Sequence, residues 1–404
     1  MSSTVEANGR TVGGTEYSWC KAIRGGTGIA VLSLLLTKPI DISRFQTSLH
    51  KLQNSHPILR SKLHHSNTTT DTSFSFLTSP TPFIKIESHS LNATSEILNN
   101  NKYDTVSVSP LQKILEHELN RNAWREQDRS TTGSDMLFAT VYAMPDAKTS
   151  VVVMRLHVAA CDRTTAVSLL RELLVLMTED EKETNGVEME NVVPLAIEDL
   201  GCKQSKIKVC GAISAAGLMA AHSNKNSCKK YGIITLIDCR STLDPPLSTH
   251  HFGFYHAAIL NNHVMKGGES LWELAKRTYG AFSSSKNNDK HFSDMADMNF
   301  LMCKAIENPG LTSSSRTSIM SVFEDTVVDD GGEMQREDGV DDYMGCASVH
   351  GLGPSMAIFD TIRDGKLDCV CVYPAPLHSR EQMQELINKM KAILIEGGKT
   401  YEEY

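Results

Sequence analysis

A continuous apolar run, Gly28 to Thr37 (GIAVLSLLLT), places the strongest constraint on how this chain folds. The run has the length of a β-strand, and Pro39 stops it. Directly after it, apolar residues recur at helical spacing: Ile42, Phe45, Leu49 and Leu52. Asp41 can cap this helix and Pro57 ends it. The chain therefore begins with a buried strand and an amphipathic helix, which is typical of an α/β protein.

Strand and helix patterns continue along the chain. Further apolar or alternating runs predict strands at 58–63, 73–80, 136–144, 149–157, 231–239, 252–260, 317–324, 355–363 and 366–374. Helices are predicted at 164–177, 210–222, 270–282 and 380–394. Asp364-Gly365 predicts a type I′ hairpin turn, and Ser379 with Gln382 predicts a capping box. Residues 325–343, which are acidic, predict a loop.

The length of 404 residues favours two lobes, because one core of ordinary size does not fill so long a chain. Hydrophobic residues make up 40% of it and charged residues 22%, which is enough apolar material for large cores. The acidic stretch 178–191 is typical of a solvated linker. We predict an N-terminal lobe at 15–180, a linker at 181–200 and a C-terminal lobe at 201–404.

Charge and cysteine spacing argue against several functions. The net charge of −8 leaves no basic surplus for nucleic acid or an anionic membrane. The longest apolar run is too short to span a bilayer and the N-terminus lacks the apolar core of a signal peptide, so we expect a cytoplasmic protein. The ten cysteines contain no C-x-x-C pair, and the histidines at 250, 251 and 256 lack further ligands at fixed spacing. We therefore predict no metal site.

Three blocks of sequence carry a resemblance to a known superfamily. They are the strand and helix through residue 63 together with LHVAACDRTTAVSLLRELL, then DCRSTLDPPLSTHHFGFYHAAIL, then SVHGLGPSMAIF. In this order they resemble chloramphenicol acetyltransferases, condensation domains and BAHD-like, HXXXD-type acyltransferases. The resemblance reaches from about Tyr17 to the last helix. It implies an α/β fold of two lobes, each a mixed β-sheet with helices, and a tunnel at the lobe interface.

The superfamily's signature is His-His-x-x-x-Asp-Gly. Its second histidine deprotonates an alcohol or amine, which then attacks a thioester carried by CoA or a carrier protein. Here Val158 replaces that second histidine, and His157 matches only the first, usually structural, one. His157 is the remaining candidate for the catalytic base if a local bulge turns it into the tunnel. The alternatives are a buried structural histidine, and a reaction that relies on proximity and an acceptor amine already basic enough to attack.

The resemblance also implies further site residues. Asp162 is expected to pair with Arg240, although Arg163 or a backbone amide is an alternative partner. Val158, Cys161, His350, Gly351 and Gly353 are candidates for the tunnel or the donor loop. Cys161 as a thiolate nucleophile beside His157 would indicate a different class of enzyme, but a packing thiol is the better interpretation of this residue.

The predicted function is transfer of an acyl group from a CoA or carrier thioester to a small alcohol or amine. Acyl-CoA is the expected co-substrate, without a tightly bound cofactor. The expected partners are the small-molecule donor and acceptor, with the protein a monomer or weakly self-associating. A catalytically inactive protein that binds a ligand or partner is the alternative. The crossover at residues 178–203 is short for the superfamily, so we also predict that the second lobe lacks its opening strand and has a groove beside helix 210–222.

Overall fold

A computed structural model of the chain describes residues 9–67, 72–99, 108–125, 133–178, 207–223, 228–308, 318–329, 339–375 and 377–399. They form two compact units. The first unit contains described residues up to 178 and two segments from the C-terminal half, 244–254 and 339–348, which the predicted division had placed in the second lobe. The second contains the described parts of 207–243, 255–329 and 349–399. The predicted linker 181–200 and most of the predicted short crossover lie outside the described residues.

The described strands are β1 (Gly9–Thr11), β2 (Thr27–Leu36), β3 (Ser61–Asn67), β4 (Thr72–Thr78), β5 (Ile86–His89), β6 (Ser134–Asp135), β7 (Leu137–Ala143), β8 (Ser150–His157), β9 (Lys229–Asp238), β10 (His256–Met265), β11 (Ile319–Phe323), β12 (Val327–Asp329), β13 (Val340–Val349), β14 (Met356–Arg363) and β15 (Lys366–Val372). The described helices are α1 (Gly14–Ala22), α2 (Ile42–Ser55), α3 (Leu91–Asn99), α4 (Pro110–Leu119), α5 (Arg163–Thr178), α6 (Val209–His222), α7 (Leu271–Asn287), α8 (Lys290–Glu307) and α9 (Arg380–Lys399).

The first unit is built on a five-stranded sheet in the order β13-β2-β8-β7-β5. β8 lies between β2 and β7, antiparallel to both. Because side chains alternate along a strand, Val152, Met154 and Leu156 of β8 join one apolar core with α2 and α5. Arg155 and His157 lie on the opposite face of the sheet. A smaller sheet in the order β1-β4-β3-β6 completes the unit.

The predicted first strand and helix are confirmed by β2 and α2. Asp41 caps α2, its carboxylate accepting hydrogen bonds from the backbone N–H groups of Ser43 and Arg44 at 2.8 and 3.1 Å. The strand predicted at 58–63 begins only at Ser61, because Pro57 opens a short 3₁₀ turn there.

The second unit has a mixed sheet in the order β10-β9-β11-β14-β12, with β15 paired to β14. α6, α7 and α9 pack over one apolar core with this sheet. α8 contributes Asp294, whose carboxylate accepts a hydrogen bond from the backbone N–H of Leu260 in the outermost strand, β10, at 3.0 Å. This bond satisfies a donor of a strand that has no further neighbour in the described sheet.

Two predicted local features of the second unit, a hairpin turn and a helix capping box, are confirmed. Asp364 and Gly365 have φ values of 49° and 72° in the β14–β15 hairpin, as a type I′ turn requires. Ser379 and Gln382 exchange hydrogen bonds between side chain and backbone at the start of α9. The acidic loop predicted at 325–343 is wrong at both ends, because its valines extend into strands: β12 pairs with β14, and Val340 is buried in the first unit's core.

α8 was not predicted from the sequence. Its apolar side chains do not all face the interior: Phe292 is 56% exposed, and Phe300 and Leu301 are each 61% exposed. His291 is its one fully buried residue. None of the helices in the described part of the chain is long and apolar enough to cross a membrane.

Candidate functional site

His157, the candidate base, is the last residue of β8 and is completely buried. Its Nδ1 accepts a hydrogen bond from the backbone N–H of Ala159 at 3.1 Å. The indole ring of Trp124 lies edge-on to the imidazole, with ring centroids 5.6 Å apart. Among the described residues, Nε2 has no hydrogen-bond partner.

These contacts determine the protonation state of His157. An Nδ1 that accepts a hydrogen bond leaves the single proton of a neutral imidazole on Nε2. Burial lowers the pKa of His157 to about 3, because the charged form loses its hydration. In this geometry the ring is neutral at pH 7 with its Nε2 already protonated, which favours the structural interpretation over a general base.

The buried histidine predicts that the protein loses stability in acid. The unfolded chain binds a proton at this residue near pH 6.5, whereas the folded protein does not until about pH 3. The free energy of unfolding should therefore be highest above pH 6.5 and fall by about 1.4 kcal/mol per pH unit below it on account of this group. Urea unfolding at pH 6.5 and pH 5 would measure the fall.

The comparison variant for this prediction is His157→Gln, whose side chain stays uncharged at both pH values. Between pH 6.5 and pH 5, the free energy of unfolding of this variant should fall by about 2 kcal/mol less than that of the wild type. The exposed His250→Gln substitution is the matched control and should keep the wild-type slope. Equal slopes in wild type and His157→Gln would show that His157 is accessible to protons.

Val158 lies in different surroundings from His157. It belongs to a strand-end cluster that we define as Trp19, Gly28, Val158 and Phe254. Gly28 has a φ of 86°, and a Cβ added to it would lie 2.8 Å from Val158 Cγ1 and 3.0 Å from Trp19 Cε3. The ring centroids of Trp19 and Phe254 are 5.2 Å apart. Val158 is thus held in an aromatic, apolar cluster, and His157 faces Trp124.

Trp19 was not among the predicted site residues. Its Nε1 is buried, and it has no hydrogen-bond partner among the described residues. A buried donor of this kind normally finds an acceptor, so an unpaired one is worth explaining. The strand-end cluster therefore combines apolar walls with one unused N–H donor.

Asp162 begins the helix that follows the motif. Its carboxylate accepts hydrogen bonds from the Thr165 backbone N–H at 3.1 Å and from the Thr165 hydroxyl at 3.0 Å, the pattern of a helix cap. Its own backbone N–H donates to the carbonyl of Gly253 at 3.2 Å. Asp162 therefore caps the start of α5 and joins the loop between β8 and α5 to Gly253.

Cys161 is also fully buried and belongs to the apolar core of the first unit. The hydroxyl of Thr165 lies 3.6 Å from its sulfur. A thiolate nucleophile requires access and a nearby positive charge. The burial of Cys161 favours the packing thiol.

Arg240 lies in the second unit, after β9. Its Nη1 donates to the carboxylate of Asp238 at 3.1 Å, and its guanidinium lies 4.7 Å from the centre of the Tyr255 ring. Asp162 belongs to the first unit, and the ion pair between it and Arg240 stays a prediction.

The candidate donor loop, His350 to Gly353, comes directly after β13 in the chain and belongs to the second unit. The backbone N–H of Leu352 donates to the His350 carbonyl at 2.8 Å, which closes a tight turn. A Cβ at Gly353 would lie 2.6 Å from the carbonyl oxygen of Val349, so only glycine fits there. Gly351 has a φ of 69° in the same turn. The conformation of this loop therefore requires glycine at specific positions. Its part in binding a thioester donor stays a prediction.

The histidines at 250, 251 and 256 have separate surroundings. His251 Nδ1 is 3.0 Å from the Ser248 hydroxyl, whereas His256 is buried with its ring edge-on to Phe323. Across the described residues, no group of three or more His, Cys, Asp or Glu side chains could hold a metal ion.

An ionic network, which we define as Glu87, Glu118, Arg121, Tyr142 and Arg155, runs from the surface inward on the same sheet face as His157. Glu118 is 0% exposed, and its Oε2 lies 3.2 Å from Nη1 of Arg155. Arg121 donates to the other oxygen of Glu118 at 3.0 Å and to Glu87 at 2.6 Å. Tyr142 donates its hydroxyl proton to Glu118, and burial together with that carboxylate raises its pKa.

The ionic network was not predicted from the sequence, because charged residues on a helix are normally exposed to solvent. A signal was nevertheless present. Glu118 falls three and four residues after Leu115 and Ile114, so it stands within the apolar stripe of α4. Its buried neighbour on β8, Arg155, likewise interrupts an apolar strand.

Solved structures with a similar fold cover nearly the whole chain. A condensation domain of the calcium-dependent antibiotic synthetase has a TM-score of 0.64 at 10% identity, with 96% of this chain and 97% of that chain covered. A trichothecene 15-O-acetyltransferase from Fusarium sporotrichioides has a TM-score of 0.65 at 11% identity, with 98% and 96% covered. Polyketide synthase associated protein 5 from Mycobacterium tuberculosis has a TM-score of 0.62 at 12% identity, with 95% and 96% covered.

No sequence model of a protein family matches this chain, and no curated protein matches it in sequence. The similarity is therefore one of structure, and it agrees with the sheets and helices described above. The predicted α/β fold is confirmed. This chain has the fold of condensation domains and of the trichothecene 15-O-acetyltransferase.

Proposed function

We propose that this protein transfers an acyl group from a CoA or carrier-protein thioester to a small amine. The observation that carries the proposal is the fold, which is similar over nearly the full chain to condensation domains and to an O-acetyltransferase. The capped turn between β8 and α5, where Asp162 binds Thr165, supports it further. Acyl-CoA is the co-substrate in this proposal, and no tightly bound cofactor is required.

The amine is preferred to an alcohol because of the residues at the end of β8. Val158 cannot accept a proton, and the proton of the neutral His157 is on Nε2. An alcohol would need a base that these two residues do not supply, whereas an unprotonated amine attacks a thioester unaided. The amine nitrogen bonds to the carbonyl carbon, the carbon–sulfur bond breaks, and the thiolate takes up the proton that the nitrogen loses.

The strand-end cluster can bind the acyl part of the donor. Its apolar side chains suit an acyl group. In this proposal the Trp19 ring turns when the donor binds, so that its Nε1–H, which is buried and unused here, donates to the thioester carbonyl oxygen. That oxygen becomes negatively charged as the amine adds, so the same hydrogen bond would strengthen during the reaction. Trp19→Phe should therefore lower kcat more than it raises KM.

The proposed reaction predicts a distinctive pH profile. Thiol release from acyl-CoA in the presence of an amine should increase about tenfold per pH unit below the pKa of the amine, because only the unprotonated amine reacts. No inflection is expected near pH 6.5, the ordinary pKa of histidine. The measurement is colorimetric detection of free thiol with a panel of acyl-CoA donors and primary amines, corrected for the reaction without protein. A plateau above a pKa near 6.5 would contradict the proposal by revealing an imidazole base.

Binding without catalysis is the second candidate, and the apolar replacement of the motif's second histidine by Val158 favours it. The two candidates separate in one experiment. A non-hydrolysable thioether analogue of acyl-CoA should bind the wild-type protein under either candidate. Binding together with no thiol release for any donor and amine would establish the inactive alternative.

A further inference from the structure

A pocket within the second unit lies against α6 and α9, at the ends of β9, β11 and β14 where these parallel strands begin. Its volume is about 80 Å³. Its wall is mainly apolar and includes Leu218, Ile233, Met320, Met356, Met383 and Leu386. Most of these side chains are almost fully buried. The pocket thus opens at the surface of the second unit and reaches into its apolar core.

The polar groups deep in this pocket are already paired. The hydroxyl of Tyr231 donates to the carbonyl of Ala221 at 3.2 Å. Ser355 joins β14 to β11 through the backbone of Ile319, with its hydroxyl donating to the carbonyl at 2.6 Å. Water needs two to four polar partners in a cavity, and apolar cavities remain dry. The interior of the pocket is therefore better suited to hydrocarbon than to water.

His378 is the polar group without a pairing at the rim. It is half-buried beside the start of α9, and its imidazole makes no hydrogen bond to a described residue. Burial lowers its pKa, so it is neutral at pH 7 and can donate one N–H. A ligand that fits this arrangement has an apolar tail and a hydrogen-bond acceptor at one end.

We propose that this pocket binds a short aliphatic chain of about five to eight carbons whose polar head accepts a hydrogen bond from His378. The volume of about 80 Å³ leaves room for several such carbons, because roughly 10 to 15 Å³ is already enough for one water-sized group. The three methionines can adjust to the shape of such a chain, since thioether side chains are flexible and polarizable. The apolar side chains that line the pocket have no packing partner on its open side, and an aliphatic occupant would supply those contacts. The site does not depend on the proposed acyl transfer.

Binding can be tested on the full chain with octanoate and with 1-octanol. Acetate and ethanol, which have the same head groups but lack the long chain, are the controls. Both long probes should raise the Tm and the short ones should not. A stronger effect of octanoate would identify a carboxylate head, and a stronger effect of 1-octanol a hydroxyl. No binding of either long probe to the folded wild-type protein would overturn the proposal.

Variants locate the site. Ala221 also lines the pocket. Ala221→Leu should fill the pocket and weaken binding of the long probes at least tenfold, and His378→Leu should weaken the binding of whichever probe is preferred. Ala296→Leu, the same substitution on the exposed face of α8, is the matched control and should bind as the wild type does. Equal binding by Ala221→Leu and wild type would also overturn the proposal.

A second readout does not depend on whether these variants fold. With methyl-¹³C methionine, the resonances of Met320, Met356 and Met383 should shift on addition of octanoate or 1-octanol. Those of Met295 and Met298 on α8 should stay in place. Shifts confined to α8, or spread over all methionines, would assign the binding to another surface.

Discussion

Replacing Glu118 with leucine should destabilise the protein by about 3 to 5 kcal/mol, because it leaves Arg155 charged and buried without its partner. Glu118 is 0% exposed and Arg155 only 4%, so water cannot compensate for the loss. Tyr142 would lose its acceptor at the same time. Urea unfolding of both proteins at pH 7 would measure the difference.

The double variant Glu118→Leu with Arg155→Met distinguishes two causes of the expected destabilisation: the loss of the ion-pair attraction, and the burial of an unpaired charge on Arg155. Replacing both members of a buried pair by apolar residues is often close to neutral, so the double variant should recover much of the stability. Glu307→Ala, which removes an exposed partner of Lys304, is the control and should change stability by less than about 1 kcal/mol. A loss of that small size in Glu118→Leu would contradict the importance of the ionic network.

Val158→His should increase thioester turnover by about 10² to 10⁴-fold, the usual contribution of a general base. The substitution places an imidazole in the strand-end cluster, next to Gly28 and Trp19. Alcohols should become acceptors alongside amines, and the pH profile should gain an inflection in the range where histidine titrates. Thiol release measured with matched alcohol and amine acceptors would show both changes.

Val158→Asn is the comparison for this second prediction, because it adds polarity without a usable base. It should leave turnover near the wild-type value. A folded Val158→His protein with no increase over the whole donor and acceptor panel would count against acyl transfer as the function. It would support the binding candidate instead.

The parts of the fold that were predictable are those with an uninterrupted pattern. The apolar run of β2 has the length of a strand, and the spacing of apolar residues in α2 is that of a helix. The structure confirms both. The hairpin at Asp364 was predictable because few residues adopt positive φ readily. α8 was not, because it leaves Phe292, Phe300 and other apolar side chains facing outward, so periodicity does not report its buried face.

Only the part of the candidate site that lies within the motif, His157 and Val158, was predictable from the sequence. The identity of Val158 could be read directly, and the burial of His157 was one of two open interpretations. Trp19 could not be found, because its position beside Val158 depends on the backbone of Gly28, which lies in another element. The sequence also could not show that Nδ1 of His157 is occupied, since the donor is a backbone N–H of the turn that follows.

The position of β13 beside β2 has a consequence for synthesis of the chain on the ribosome. The hydroxyl of Ser348 accepts a hydrogen bond from the backbone N–H of Ile29, and these residues are 319 positions apart. At ordinary rates of translation, roughly 15 to 65 seconds separate their appearance. Throughout that interval β2, which is almost wholly apolar, has at least one unpaired edge, and it has two until β8 has been synthesised. Nascent chains therefore expose an unpaired apolar edge of β2 until β13 has been synthesised, and on crowded polysomes this edge is open to pairing with a neighbouring chain.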